Sequence, residues 1–268
     1  MPATPPLVSI VIPTYNRAHL LERALGSVVA QTYPHFEAIV VDDGSTDGTR
    51  ELVAQRYGGD PRIRYTYQIN RGVSTARNVG LAQTRGELIA LLDSDDWWKP
   101  WKLELQVACL QRYPQIGMVW TDMEAVDRQG QVFNPRYLRT MYRAYRWFDA
   151  SDLFRESQPL PPIGAPLPPE PAAIGIGDIY SQMIMGNLVH TSTVLFRRER
   201  LDKVRGFNET LRPSGGDYDF HLRVCREGPV GFINLAAIGY QVGMADQLTS
   251  PTYAIHSARN FLRTIEPA

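Results

Sequence analysis

The sequence is poor in cysteine, carries no excess charge of either sign, and lacks any long apolar run. Each shortage excludes a class of protein. The two cysteines, Cys109 and Cys225, form no CxxC pair, so a structural zinc site is not expected. Both sit in apolar, helix-like surroundings and read as buried reduced thiols, which fits a reducing compartment. Basic and acidic residues number 28 each, so no general basic face is available for nucleic-acid phosphates. No apolar stretch approaches the roughly 20 residues of a membrane span, and residues 1–6 lack the basic and apolar regions of a signal peptide. A cytoplasmic protein is expected, with peripheral membrane contact left open. Two nucleotide motifs are also missing. No GxxxxGK(S/T) loop is present, against an ordinary ATPase. No GxGxxG follows the first strand-like run, against a dinucleotide oxidoreductase.

What is present is enough apolar material, 44% of 268 residues, for one large α/β domain. Strand-like runs at residues 7–12, 36–41, 63–68, 88–92 and 116–121 alternate with helix-like patterns at 19–31, 74–83 and 100–112. Ser45 reads as the N-cap of a further helix through Tyr57. Fully apolar strands alternating with helices predict a mostly parallel sheet covered on both faces. Ligands of such sheets bind at the carboxyl ends of the strands. The second half is less regular. Residues 127–130 look like a turn between antiparallel strands, 179–185 and 220–226 like helices, and 192–196 like a strand. Residues 159–171 hold seven prolines, the composition of an extended loop or lid.

The strand ends carry the chemistry. The first run ends in PTYNR (13–17), the second in VDDGSTD (41–47), the fourth in LDSDD (92–96). Carboxylates repel one another, so gathering them is costly unless a cation or a donor-rich ligand sits among them. Helix capping explains Ser45 and Asp47. It is a weak account of Asp93, Asp95 and Asp96, which follow an apolar strand and precede Trp97 and Trp98. Alternating Asp93 and Asp95 offer hard oxygen ligands suited to Mg2+ or Mn2+ shared with substrate phosphates.

Four blocks, PTYNR, VDDGSTDGT, GVSTARNVGL and GELIALLDSDDWW, stand in this order over about the first 100 residues. In order and spacing the chain resembles the inverting family 2 glycosyltransferases with the GT-A fold. The likeness continues in GNLVHTSTVLFRRE (186–199), GFNE (206–209) and GGDYDFHLRV (215–224). It leaves out the proline-rich loop and the C-terminal tail.

The resemblance implies roles at matching positions. Pro13 and Tyr15 line the nucleotide pocket and Asp43 hydrogen-bonds the base. Asp93 contacts the ribose or the sugar, with Ser94 also counted among the donor contacts, and Asp95 binds the metal bridging the phosphates. Arg77 lies near the nucleotide or donor sugar, or else forms an internal ion pair. Asn78 and Gly80 shape the turn. Asp217 stands at the general base, needed because a hydroxyl is a poor nucleophile until its proton is removed; Asp219 is its rival.

Two departures stand out. Relatives often carry Glu-Asp where this chain has Gly216-Asp217, and a histidine after Tyr-Arg where it has Tyr240-Gln241-Val242-Gly243. The third metal ligand is then Asp246, water, or absent. The membrane spans and QxxRW motif of processive synthases are missing. The implied enzyme moves one sugar from a nucleotide-sugar, UDP-sugars being favoured over GDP- and dTDP-sugars, to a saccharide, lipid-linked or other hydroxyl acceptor. Residues 1–125 form the donor half, 126–240 the acceptor half with a flap at 159–171, and 241–268 a tail. The rivals are a nucleotidyltransferase acting on a sugar phosphate and a non-catalytic nucleotide-sugar-binding partner.

Overall fold

The structure is a computed structural model, which describes residues 4–170, 172–244 and 253–266. The first half builds four parallel strands: β1 (Val8–Thr14), β2 (Phe36–Asp42), β3 (Ile63–Tyr67) and β4 (Leu88–Leu91). Every residue of β1, β2 and β4 is buried, because helices cover both faces of this part of the sheet. These helices are α1 (Ala18–Val29), α2 (Thr49–Tyr57) and α3 (Val73–Leu81). The two-residue β5 (Trp97–Trp98) and α4 (Lys102–Arg112) follow.

The second half adds β6 (Met118–Val126), β7 (Val132–Asn134), β8 (Glu156–Pro159), β9 (Ala173–Gly177), β10 (Leu195–Arg197) and β11 (Val230–Gln241). Its helices are α5 (Leu138–Met141), α6 (Ala150–Leu153), α7 (Tyr180–Met185), α8 (Arg198–Val204), α9 (Gly216–Arg226) and α10 (Ala254–Ile265). Among the described residues eleven strands join one sheet in the order β3-β2-β1-β4-β10-β6-β11-β9-β8, with β5 on β11 and β7 on β6. Short β10 runs antiparallel to both neighbours, β4 and β6, while β11 pairs parallel with β6. Strands β1–β4, β6, β8 and β11 therefore point the same way, and the ends of β1, β2 and β4 sit side by side.

Local chemistry corrects three expectations. Helix α2 starts at Thr49, not after Ser45; its N-cap is Gly48 at φ +85°. Ser45 Oγ instead accepts the Asn16 N–H at 2.8 Å. Asp47 does act as a cap, accepting from the N–H groups of Ala18 at 2.9 Å and Thr49 at 3.3 Å. Asn78 and Gly80 lie inside α3 and shape no turn. A Cβ at Gly80 would collide with Val11, so the glycine lets α3 settle on β1. Asn78 bonds both backbone groups of Phe207, accepting at 2.7 Å and donating at 2.9 Å, and so ties the two halves together.

The proline-rich stretch at 159–170 begins at the last residue of β8 and is tied to α4 and to its C-cap Tyr113. The Gly164 N–H donates to Glu104 at 2.7 Å and the Tyr113 hydroxyl to the Pro159 carbonyl at 2.8 Å. None of these loop residues lines the cavity described below. Among the described residues no helix is long and apolar enough to cross a membrane.

Candidate functional site

Pro13, Tyr15, Asp43, Arg77, Asp93, Ser94, Asp95 and Asp217 all line one cavity of about 870 Å³ at the strand ends. Two turns frame it. The PTYNR turn and the turn after β2 are stitched together, with Asn16 Oδ1 accepting the Thr46 N–H at 2.8 Å. Asn16 adopts φ +50° to do so, a region asparagine tolerates better than most residues. Tyr15 is left about half exposed at the rim. Asp43 is buried and partly committed. It accepts from Gln68 at 2.6 Å and from the N–H groups of Arg71 and Gly72 at 2.8 Å each. Of the about four lone-pair sites on a carboxylate, one remains for a ligand.

The third turn carries the acids. Arg77 forms the internal ion pair, reaching Asp93 at 2.6 Å, and Arg17 reaches Asp95 at 2.9 Å. Burial works against the Asp93 charge, but Arg77 outweighs it and holds the carboxyl below the usual range. Asp95 goes the other way. Burial first, then repulsion from Asp96, outweighs Arg17 and pushes its pKa up to about 7. Asp96 Oδ1 is buried with no hydrogen-bond partner. The turn therefore packs three carboxylates together, partnered by Arg77, Arg17 and His190, in a place where burial opposes the charge on Asp95. Its position is set from behind: the Asp93 N–H donates to Ser192 Oγ at 3.1 Å and Trp98 Nε1 to the Ser192 carbonyl at 2.9 Å.

The sequence reading missed His190 and Tyr142. His190 Nε2 lies 3.2 Å from Asp96, and its Nδ1 lies 3.1 Å from the Tyr142 hydroxyl. Burial opposes a charge on His190, yet the bond to Asp96 prevails and raises its pKa. The histidine sits in LVHTSTV, a stretch buried throughout, where the residue pattern does not set a cavity-facing histidine apart from a core one.

Asp217 is the second residue of α9 and faces the cavity. Asp219 does not line it; it is held by Arg223, whose Nε is 3.0 Å away. The Glu-Asp departure has a steric side, because a Cβ at Gly216 would stand 2.6 Å from Ser74 Oγ. Gln241, the residue after Tyr240, accepts from Arg23 at 2.9 Å and donates to the Asp127 carbonyl at 2.7 Å. Asp246 lies outside the described residues. Among the described residues no group of three or more His, Cys, Asp or Glu side chains could hold a metal ion.

One turn after Asp217, His221 is fully buried, and burial pulls its pKa down to about 3. The unfolded chain protonates this ring near its ordinary value of about 6.5. The folded state is thus fully favoured above that value and loses stability progressively as pH falls toward 3. At pH 4.5 the loss from this group is about 3 kcal/mol. His221→Gln is expected to flatten the acid limb of stability measured by urea unfolding at pH 7.0, 5.5 and 4.5. An acid limb as steep as that of the wild type would refute the assignment.

Comparison with known proteins gives the family and the fold. The profile of glycosyl transferase family 2 matches residues 9–155. An uncharacterised glycosyltransferase of Rickettsia conorii is 32% identical over 228 residues, which is 84% of this chain and 32% of that protein. The crystal structure of S. aureus TarS 1–349 in complex with UDP-GlcNAc superposes with a TM-score of 0.66 at 20% identity, over 97% of this chain and 70% of the other. The mannosyltransferase PcManGT of Pyrobaculum calidifontis, in complex with GDP-Man and Mn2+, gives 0.61 at 21% identity, over 98% of this chain and 64% of the other. At these identities the structural likeness shows the fold, which is of the GT-A type. The chain spans about a third of the length of the curated relatives it matches.

Proposed function

The chain belongs to glycosyl transferase family 2, and from that premise we propose that it is a metal-dependent inverting glycosyltransferase moving one sugar from a nucleotide-sugar to an acceptor hydroxyl. The observation that carries this reading is the single cavity that gathers the ends of β1, β2 and β4 with Asp217 of α9. A UDP-sugar is the favoured donor; TarS was solved with UDP-GlcNAc. GDP-sugars are the runner-up, PcManGT having been solved with GDP-Man. Residues 1–125 hold the donor, and 126–240 the acceptor. With both cysteines free and buried, we place the enzyme in the cytoplasm.

The metal proposed is Mn2+ or Mg2+. The donor set suits it: hard carboxylate oxygens, one of them on a group pushed up to about 7 and another on Asp96 without a partner. Asp95 would hold the ion beside Asp93, with the remaining positions filled by phosphate and water. When bound, it offsets the charge that builds on the departing nucleoside diphosphate.

The protein's own groups do the rest. Tyr15 and Pro13 flank the nucleotide, and the free position on Asp43 accepts from a base N–H. Asp93, with Ser94 beside it, faces the ribose or the sugar, and Arg77 fixes the Asp93 carboxylate. Asp217 accepts the acceptor proton as the new bond forms at the anomeric carbon, and one displacement inverts that centre.

A melting-temperature screen against UDP, GDP and their sugars, with and without Mn2+, tests the donor reading, because a ligand that binds only the folded state raises the midpoint. A Mn2+-dependent rise with UDP is expected; no rise with any nucleotide would sink the proposal. Asp43→Ala is expected to weaken UDP more than pyrophosphate. Equal losses would show that Asp43 acts only by holding residues 71–72.

A further inference from the structure

Helix α10 lies beyond the residues the family profile matches, yet it walls the cavity. Tyr253, the N-cap of the helix, and Ser257 and Phe261 on the helix itself, spaced four apart, all line it. The helix is fastened rather than loosely laid. Asn260, buried, donates to the carbonyls of Arg212 at 3.2 Å and Ser214 at 2.7 Å. The Ser257 and Ser214 hydroxyls meet at 2.9 Å. Phe261 stacks on Tyr218 with ring centroids 4.8 Å apart and planes at 17°. Each of these partners belongs to α9 or to the loop that leads into it, so α10 grips the segment that presents Asp217.

Glycine completes the fit. Gly215 adopts φ +93°, and a Cβ there would lie 3.0 Å from Asn260 Cβ. Next to it, Gly216 backs onto Ser74. Where a glutamate would otherwise reach toward the acceptor, this chain has no side chain. The surface beside Asp217 is supplied by α10 instead: two aromatic rings with a hydroxyl between them.

We propose that the Tyr253–Ser257–Phe261 face of α10 is one wall of a saccharide acceptor subsite. A pyranose offers apolar C–H faces and peripheral hydroxyls. Aromatic rings bury the former, and a serine hydroxyl donates to or accepts from the latter. A purely apolar acceptor would leave the Ser214–Ser257 hydroxyl pair unused. The proposal rests on the reading of Asp217 as the base, and it assigns one wall of the same cavity.

The test uses the full chain and saturation-transfer NMR with the methyl glycosides of glucose, galactose and N-acetylglucosamine, each with and without UDP. Ring protons of at least one glycoside are expected to receive saturation from the wild type. The signal should fall about fivefold in Tyr253→Ala, the scale of one lost aromatic contact. It should fall likewise in Asn260→Asp, which keeps the helix face but cannot donate to the two carbonyls. The UDP-induced rise in melting temperature should persist in both. No saturation of any glycoside by the wild type, or an unchanged signal in both variants, would overturn the proposal. Absence of the UDP shift in the wild type would instead sink the donor reading, while the glycoside arm without UDP still decides the role of α10.

Discussion

Asp217→Asn is expected to lower turnover by about a hundredfold to ten-thousandfold, the usual effect of removing a general base, while donor affinity stays close to that of the wild type. Asparagine keeps the size and much of the hydrogen bonding but cannot take the acceptor proton. The proposed nucleotide contacts come from other elements, the ends of β1, β2 and β4, so the donor is expected to stay bound. Asp219→Asn is expected to do less. Asp219 is bound to Arg223 and does not line the cavity, so its loss costs a link within α9 and not a proton acceptor. Transfer from UDP-sugars to methyl glycosides, with donor affinity from calorimetry, separates the two. Near-full activity in Asp217→Asn with none in Asp219→Asn would place the base two residues further on.

How far the sequence carried the reading depends on what kind of interaction each residue makes. Strands β1, β2 and β4 were legible because burial on both faces demands unbroken apolar runs, and 36–41 and 88–92 differ from the observed strands by one residue at one end. The acidic turns were legible because charge directly after such a run needs a reason. Ser45 was misread because a serine before a helix-like stretch looks the same whether it caps that helix or bonds a neighbouring loop. Asn78 and Gly80 were misread for a related reason: their partners, Phe207 and Val11, lie 129 and 69 residues away in the chain. His190 was invisible, since a histidine facing the cavity and one buried in the core occupy the same apolar pattern. Helix α10 was passed over because its cavity-facing residues are ordinary until the loop from Arg212 to Gly216 is seen beneath them.

Asp95→Ala is expected to remove most of the Mn2+-dependent part of UDP binding, about a hundredfold in affinity or more by the scale of losses seen when metal sites are altered. The Asp95 carboxylate is buried beside Asp96 and near Asp93, and Arg17 alone does not offset the cost; the pKa near 7 is the measure of that imbalance. A divalent ion among these oxygens relieves the repulsion, and the same repulsion makes Asp95 poor at stabilising the empty fold. The variant should therefore melt at or above the temperature of the wild type in the absence of ligand, which separates a binding role from a structural one. It removes a carboxylate from beside Arg17, so metal-free UDP affinity should hold. Calorimetry with UDP in Mn2+ and in chelator, on both proteins, gives the four affinities needed. The two conditions should differ widely for the wild type and converge for Asp95→Ala. An undiminished difference between them in the variant would show that the ion, if one binds, is held by other groups.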